Sequence, residues 1–137
     1  MKTIIAGSRE GVTLSDVISA VGKCGWQLSS VVSGTARGAD RLGEEFASSV
    51  GLQIQRFPAD WDKHGKRAGY LRNTEMAENA EALIALWDGK SRGTKMMIET
   101  ATKKGLKVYV HKTFNLPEAR REWTIKAMQD MFTGAGE

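Results

Sequence analysis

"VVSGTARGAD", residues 31–40, decides how this chain folds. Two apolar β-branched residues run into Ser33-Gly34-Thr35-Ala36-Arg37-Gly38, and Asp40 follows where a helical pattern begins. A buried strand that hands over to a helix through a glycine loop reads this way. The same design recurs on either side. "KTIIAGSRE", residues 2–10, stops a short apolar run at Gly7-Ser8-Arg9, and "ALIALWDGKSRGT", residues 82–94, ends the most apolar run of the chain in Gly89, Ser91, Arg92, Gly93 and Thr94.

The segments between these loops alternate strand with helix. After Gly7 a helix is expected from Thr13, with Asp16 as capping-box partner and Leu14, Val17, Ile18 and Val21 at helical spacing. Ser29–Ser33 reads as the second strand. Asp40 reads as a helix N-cap, with Leu42, Phe46 and Val50 on one face and Gly51 as terminator. Leu52–Phe57 is the third expected strand, ended by Pro58. A polar loop leads to a helix over about Lys66–Asn79. Ala82–Trp87 is expected in the sheet centre, because a strand buried on both faces is a continuous apolar run. A helix over Gly93–Lys104 turns Met97 and Ala101 inward, and Leu106–Val110 is the fifth strand. Asn115, Pro117 and Glu118 make the start of a last helix within 113–132, with Ala119, Trp123, Ala127 and Met131 on one face, and 133–137 as a flexible tail. Alternation of this kind means right-handed crossovers and a mostly parallel sheet. The expected fold is a single-domain α/β three-layer sandwich over 1–137, with a Rossmann-like sheet of about five strands.

Composition sets outer bounds. The chain has 137 residues, 41% hydrophobic and 26% charged, which suits one domain with its own core. Cys24 is the single cysteine, so no internal disulfide or thiolate zinc cluster is available. No apolar run has membrane-spanning length, and "MKTIIAGSRE" lacks the form of a signal peptide. The expected compartment is the cytoplasm. Neither a metal site nor a resident cofactor is expected. The net charge of +4 favours anionic partners, but the basic residues are scattered and no basic stripe is interleaved with aromatics, so nucleic acid is not the expected partner.

All three glycine loops follow carboxyl ends of strands, where ligands of parallel sheets sit. Two of them feed helix N-termini, which offer unpaired amides and a positive dipole. Ser8, Ser33, Thr35, Ser91 and Thr94 add hydroxyls, and Arg9, Arg37 and Arg92 add forks suited to phosphate. Gly7, Gly34, Gly38, Gly89 and Gly93 let the backbone come near a ligand, with Ala36 between them. The combination points to a phosphate site. It is neither a Walker A loop nor a GxGxxG fingerprint. Trp61, in a polar loop, is a platform for a base or a contact for a lid or second subunit. Trp87, Met76 and His111 read as structural, and His64 as exposed.

The segments "VSGTARGADRLGEEFA", "FPADWDKHGKRAGYLRNTEM" and "WDGKSRGTKMMIETATKKGLKVYV" resemble the YspA branch of the SLOG superfamily, the YpsA-related proteins. The superfamily also holds the LOG phosphoribohydrolases and the DprA recombination mediators. The resemblance covers most of residues 1–111 and implies a Rossmann-like domain that binds a nucleotide or nucleotide-derived ligand, with homodimerisation implied by the LOG proteins. The LOG pattern has an arginine before the central strand, matched by Arg72, and a loop ending in Gly-Thr, matched by Gly93 and Thr94. Its glutamate is absent: Met97 stands at that position, and Glu99 is rotated by about 140° from Thr94. Trp87, Asp88 and Gly89 also depart from the LOG loop.

The expected function is therefore nucleotide binding at the carboxyl rim. Thr35–Gly38 and Ser91–Thr94 would hold phosphate through their amides. Arg9, Arg72 and Arg92 would neutralise charge, Asp88 would meet ribose, and Asn73 a base or a loop carbonyl. The alternative is a LOG-like hydrolase of nucleoside phosphates, with Arg72 and Asp88 as catalytic residues or with Asp40, Asp60 or Asp62 replacing the missing glutamate. A third reading, binding of single-stranded DNA in the manner of DprA, requires a steep salt dependence.

Overall fold

Lys2–Gly7 (β1) forms the middle strand of a five-stranded sheet, and the chain winds outward from it in both directions. It crosses through Leu14–Lys23 (α1) to Ser30–Ser33 (β2), then through Ala39–Val50 (α2) to Gln53–Arg56 (β3). It returns through Trp61–His64 (α3), a 3-10 turn and Ala68–Glu78 (α4) to Ala82–Trp87 (β4), beside β1 on the other side. Arg92–Lys103 (α5) and Lys107–Lys112 (β5) complete the order β3-β2-β1-β4-β5. All four pairings are parallel. The protein is an α/β sandwich on a Rossmann-like sheet. The computed structural model describes residues 1–113, so the expected last helix near Asn115 and the tail 133–137 lie outside the described residues.

The strands alternate their side chains between two cores. Ile5, Val31, Ile84 and Leu86 face α1 and α2, where Val17, Ala20, Ala39 and Ala47 meet them. Ile4, Ala6, Val32, Leu83 and Ala85 face α4 and α5, where Met76, Ala77, Met97 and Ala101 meet them. Each fully buried Ile or Leu contributes roughly 1.5–3 kcal/mol, so β1 and β4 anchor both layers. Local chemistry fixes the helix ends. Thr13 and Asp16 form a reciprocal capping box on α1, and Ser91 caps α5 by accepting from Thr94 N–H. Among the described residues no helix is long and apolar enough to cross a membrane.

Two expectations change. α2 begins at Ala39, so Asp40 lies inside its first turn and is not its N-cap. The cause is a long-range bond: Ala39 N–H donates to Ser8 O at 3.1 Å, tying the helix start to the loop after β1. Its buried face is Ala39, Asp40, Gly43 and Ala47, while Val50 is exposed. Gly43 causes this. A Cβ there would sit 2.8 Å from Ile5, so the helix approaches the sheet along its smallest residues and leaves the larger ones at the margin.

Candidate functional site

The chain leaves β1 toward β2 and leaves β4 toward β5, on opposite sides of the sheet, so the loops after these adjacent strands diverge. A cleft opens where they part, outside the carboxyl ends. It holds a cavity of about 390 Å³. The loop after β1 lines it with Gly7, Ser8 and Arg9, the β2–α2 turn with Ala36, Arg37 and Asp40, and α4 with Arg72 and Asn73. Asp88, Ser91, Gly93 and Thr94 close it from the β4–α5 side. The three glycine loops thus meet at one rim. Gly34, Thr35 and Trp61 line an adjoining space. Gly38, Gly89 and Arg92 line neither. Gly38 serves a close approach: its φ is +80°, and a Cβ would lie 2.5 Å from the backbone of Ser8 and Arg9. Gly89 turns the chain at φ +84°, and Arg92 is exposed.

The loop amides are less available than the sequence implies. Thr35, at φ +64°, donates its N–H to Ser33 Oγ at 3.1 Å, and Ala36 N–H donates to Asp40 Oδ2 at 3.1 Å. Ser91 N–H and Lys90 N–H both donate to Asp88 Oδ1 at 2.8 Å, and Thr94 N–H donates to Ser91 Oγ at 3.4 Å. The side chains of the loops have folded back onto their own backbone, as Ser, Thr and Asp do in tight turns. Two helix-start pairs remain without an acceptor among the described residues: Asp40 and Arg41 on α2, and Arg92 and Gly93 on α5. Gly93 is the one of the α5 pair that borders the cavity.

Side chains therefore carry most of the polarity. Arg72 is half-buried; its Nη1 donates to Gly34 O at 2.5 Å and its Nε to Asn73 Oδ1 at 3.0 Å. Burial lowers its pKa, Asp40 opposes this and Arg9 adds to it. Asn73, 8% exposed, accepts that bond and leaves its amide nitrogen without a partner among the described residues. Arg9 extends from the β1 loop with no hydrogen bond among the described residues, and Arg37 pairs with Glu10 at 3.2 Å across the mouth. Both members of that pair are largely solvated, so it contributes little and exchanges partners readily.

The two aspartates are shifted in opposite directions. Asp40, 5% exposed, is pushed up to about 6 by burial, against the hydrogen bond from Ala36 and the pull of Arg72 and Arg9, while Glu44 adds to the rise. For Asp88 burial also acts upward, but bonds from the Ser91 and Lys90 amides and from Ser8 outweigh it and hold the carboxyl below its usual range. Asp60 instead caps the short α3 by accepting from Lys63 N–H, and Asp62 is exposed; neither lines the cavity. Met97 is buried and forms the floor with Ala6 and Met76. Glu99 lies on the far groove between α4 and α5, as its rotation requires.

Two acids escape the sequence reading. Glu10 follows Arg9 with nothing to mark it as the partner of Arg37. Glu44 accepts from Ser33 Oγ at 2.7 Å and from Arg56 Nε at 2.8 Å, bracing the β2 loop from behind. Its signal was present: it stands four residues after Asp40, on the same helix face. Among the described residues no group of three or more His, Cys, Asp or Glu is placed to hold a metal.

No family model and no solved structure matches the chain. A curated protein called "Gene 61 protein", from Mycobacterium phage D29, is 39% identical over 84 residues, 57% of this chain and 67% of that protein.

Proposed function

The chain belongs to the family of the Mycobacterium phage D29 Gene 61 protein, whose name states no activity, and from the cleft itself we propose that it binds a nucleotide or nucleotide-derived ligand between β1 and β4. One observation carries this reading. A cavity of about 390 Å³, within the size range of small-ligand sites, has guanidinium groups reaching it from three separate elements and, in its wall, an Asn73 amide with no partner among the described residues. Arg9 and Arg37 would engage phosphate directly with planar donors. Arg72 spends part of its fork on Gly34 O and Asn73 and contributes field and one edge. The Gly93 N–H adds a backbone donor. The apolar floor of Ala6, Met76 and Met97 suits a base or sugar face.

The test is calorimetric titration with nucleoside 5′-phosphates and their unphosphorylated nucleosides. Arg9→Ala is the informative variant, because Arg9 is exposed, makes no hydrogen bond among the described residues, and acts on the fold only through its charge, favourably on Asp40 and unfavourably on Arg72. Loss of one charged hydrogen bond is worth roughly 1.5–3 kcal/mol, so phosphate affinity is expected to fall at least tenfold while the melting point of the free protein stays put. Equal affinity for nucleoside and nucleotide, or binding untouched by Arg9→Ala, refutes the phosphate role.

The opposed shifts of Asp40 and Asp88 on one cavity favour a second reading, hydrolysis of an N-glycosidic bond. Carboxyls whose environments separate their pKa values divide acid and base roles. Here Asp40 would hold the proton and Asp88 would remain the anion facing a developing sugar cation. Incubation with nucleoside monophosphates or NAD should release free base, and Asp40→Asn should abolish the release. No base released at any pH from 5 to 8 leaves binding alone.

A further inference from the structure

The cavity on the β1–β4 seam does not end at its arginines. Arg9, Ala36, Arg37 and Arg72 border it and also border an outer chamber of about 270 Å³, whose other walls are Gly34, Thr35, Ala59 and Trp61. Ligand cavities span roughly 300–1,000 Å³. The inner chamber falls in that range by itself, whereas the outer one lies below it and makes sense as an extension of the first.

The position of the charge matters. A terminal phosphate is best held at a blind end, with donors all around it. Here the guanidiniums border both spaces, at the neck where the two meet, and the inner chamber extends from them to the buried apolar side chains of Ala6, Met76 and Met97. A neck of this kind fits an anion that carries a substituent on each side. The inner substituent would meet those side chains and the amide of Asn73. The outer one would meet Trp61, which is 52% exposed although it stands in the short α3 against α4. Its ring edge approaches Gly69, where a Cβ would lie 3.4 Å away, so the indole is braced at one edge and open elsewhere. An exposed, supported indole beside arginines is a stacking platform for a nucleobase.

We propose that the ligand is a dinucleotide, two nucleoside halves joined through phosphate, with the phosphate at the arginine neck, one half in the inner chamber and the base of the other on Trp61. The proposal rests on the nucleotide reading above and extends it by one subsite. Arg37 supports it through its present partner: the solvated Glu10 pair at the mouth is cheap to exchange for a phosphate.

The experiment titrates the full chain with three probe sets built on the four common nucleosides: 5′-monophosphates, 3′,5′-linked dinucleotides and 5′,5′-diphosphate-linked dinucleosides. At least one dinucleotide is expected to bind tenfold or more tighter than its own monophosphate, and the better set identifies the linkage. Trp61→Ala should erase that advantage and leave monophosphate affinity unchanged, while Trp61→Phe should keep most of it. Melting of the free variants checks that the exposed site tolerates both changes. Monophosphates that bind as well as every dinucleotide, or an advantage that survives Trp61→Ala, overturn the second subsite and leave the inner one standing. No binding by any probe overturns both.

Discussion

Gly7→Ala is expected to lower the unfolding free energy by about 3 kcal/mol, at the upper end of overpacking effects, and the melting point by about 10 °C for a domain of this size. A Cβ at residue 7 would lie 2.0 Å from the carbonyl oxygen of Leu86 and within 2.9 Å of its nitrogen. Neither neighbour can yield cheaply. Leu86 is fully buried in β4, and its carbonyl accepts from Ser8 N–H at 2.9 Å. The two middle strands would have to separate just below the cleft, where Asp88 N–H also donates to Ser8 Oγ at 3.1 Å. Ligand binding should therefore fall with stability. Gly22→Ala is the matched control: it is helical, a Cβ there meets nothing within 4 Å, and the change should stabilise by roughly 0.5–1 kcal/mol. Urea and thermal melts of both variants decide the matter, and a Gly7→Ala melting point within 2 °C of the parent would falsify the account of the seam.

Asp40→Asn should do the reverse. The carboxyl titrates near 6 in the folded chain and near 3.8 when free. Between these values the folded form holds more protons than the unfolded one, so this group makes stability fall as pH rises. A rise of that size corresponds to about 3 kcal/mol once Asp40 is fully ionised, above pH 7. Asparagine retains an oxygen for the Ala36 N–H and has no charge to bury. The variant is expected to be more stable than the parent by up to about 3 kcal/mol at pH 7.5, with the difference vanishing near pH 4. Denaturation curves at the two pH values supply the check, and equal differences at both would refute it. A variant that gains stability and loses ligand or turnover would mark Asp40 as a residue kept for function.

The frame of the molecule was legible because its signals are local. The apolar run Ala82–Trp87 is a strand with those bounds, Thr13 and Asp16 make the expected box, and Met97 and Ala101 face inward. Convergence of the three glycine loops followed from parallel topology alone. Illegible features depend on contacts between distant segments or on small residues. Ile18 fits the apolar period of α1, yet it is 54% exposed at the margin of the helix–sheet contact. The α2 start was misplaced because its first amide is held by Ser8, far away in sequence. The short helix Trp61–His64, capped by Asp60, has no apolar period to reveal it. Within the site, residue types pointed to amide donors, and the turn geometry then consumed several of those amides. The sequence could not foretell which donors would stay open among the described residues: the guanidiniums, the Asn73 amide and a few helix-start amides such as that of Gly93.

The strand order also governs when the cleft can come into being. β1, β2 and β3 pair between consecutive segments, with Lys2 against Ser30 and Ser30 against Gln53. The β1–β4 partnership instead joins segments whose ends, Lys2 and Glu81, are 79 positions apart. Closing so long a loop is entropically slower than the local pairings. The three-strand half can therefore assemble as a chain emerges during synthesis, while the β1–β4 gap waits for residues 82–94. A ligand that engages both sides would report arrival of β4 and the start of α5, before Lys107–Lys112 (β5) adds at the edge of the sheet, and its binding would serve as a kinetic clock for closure of the seam.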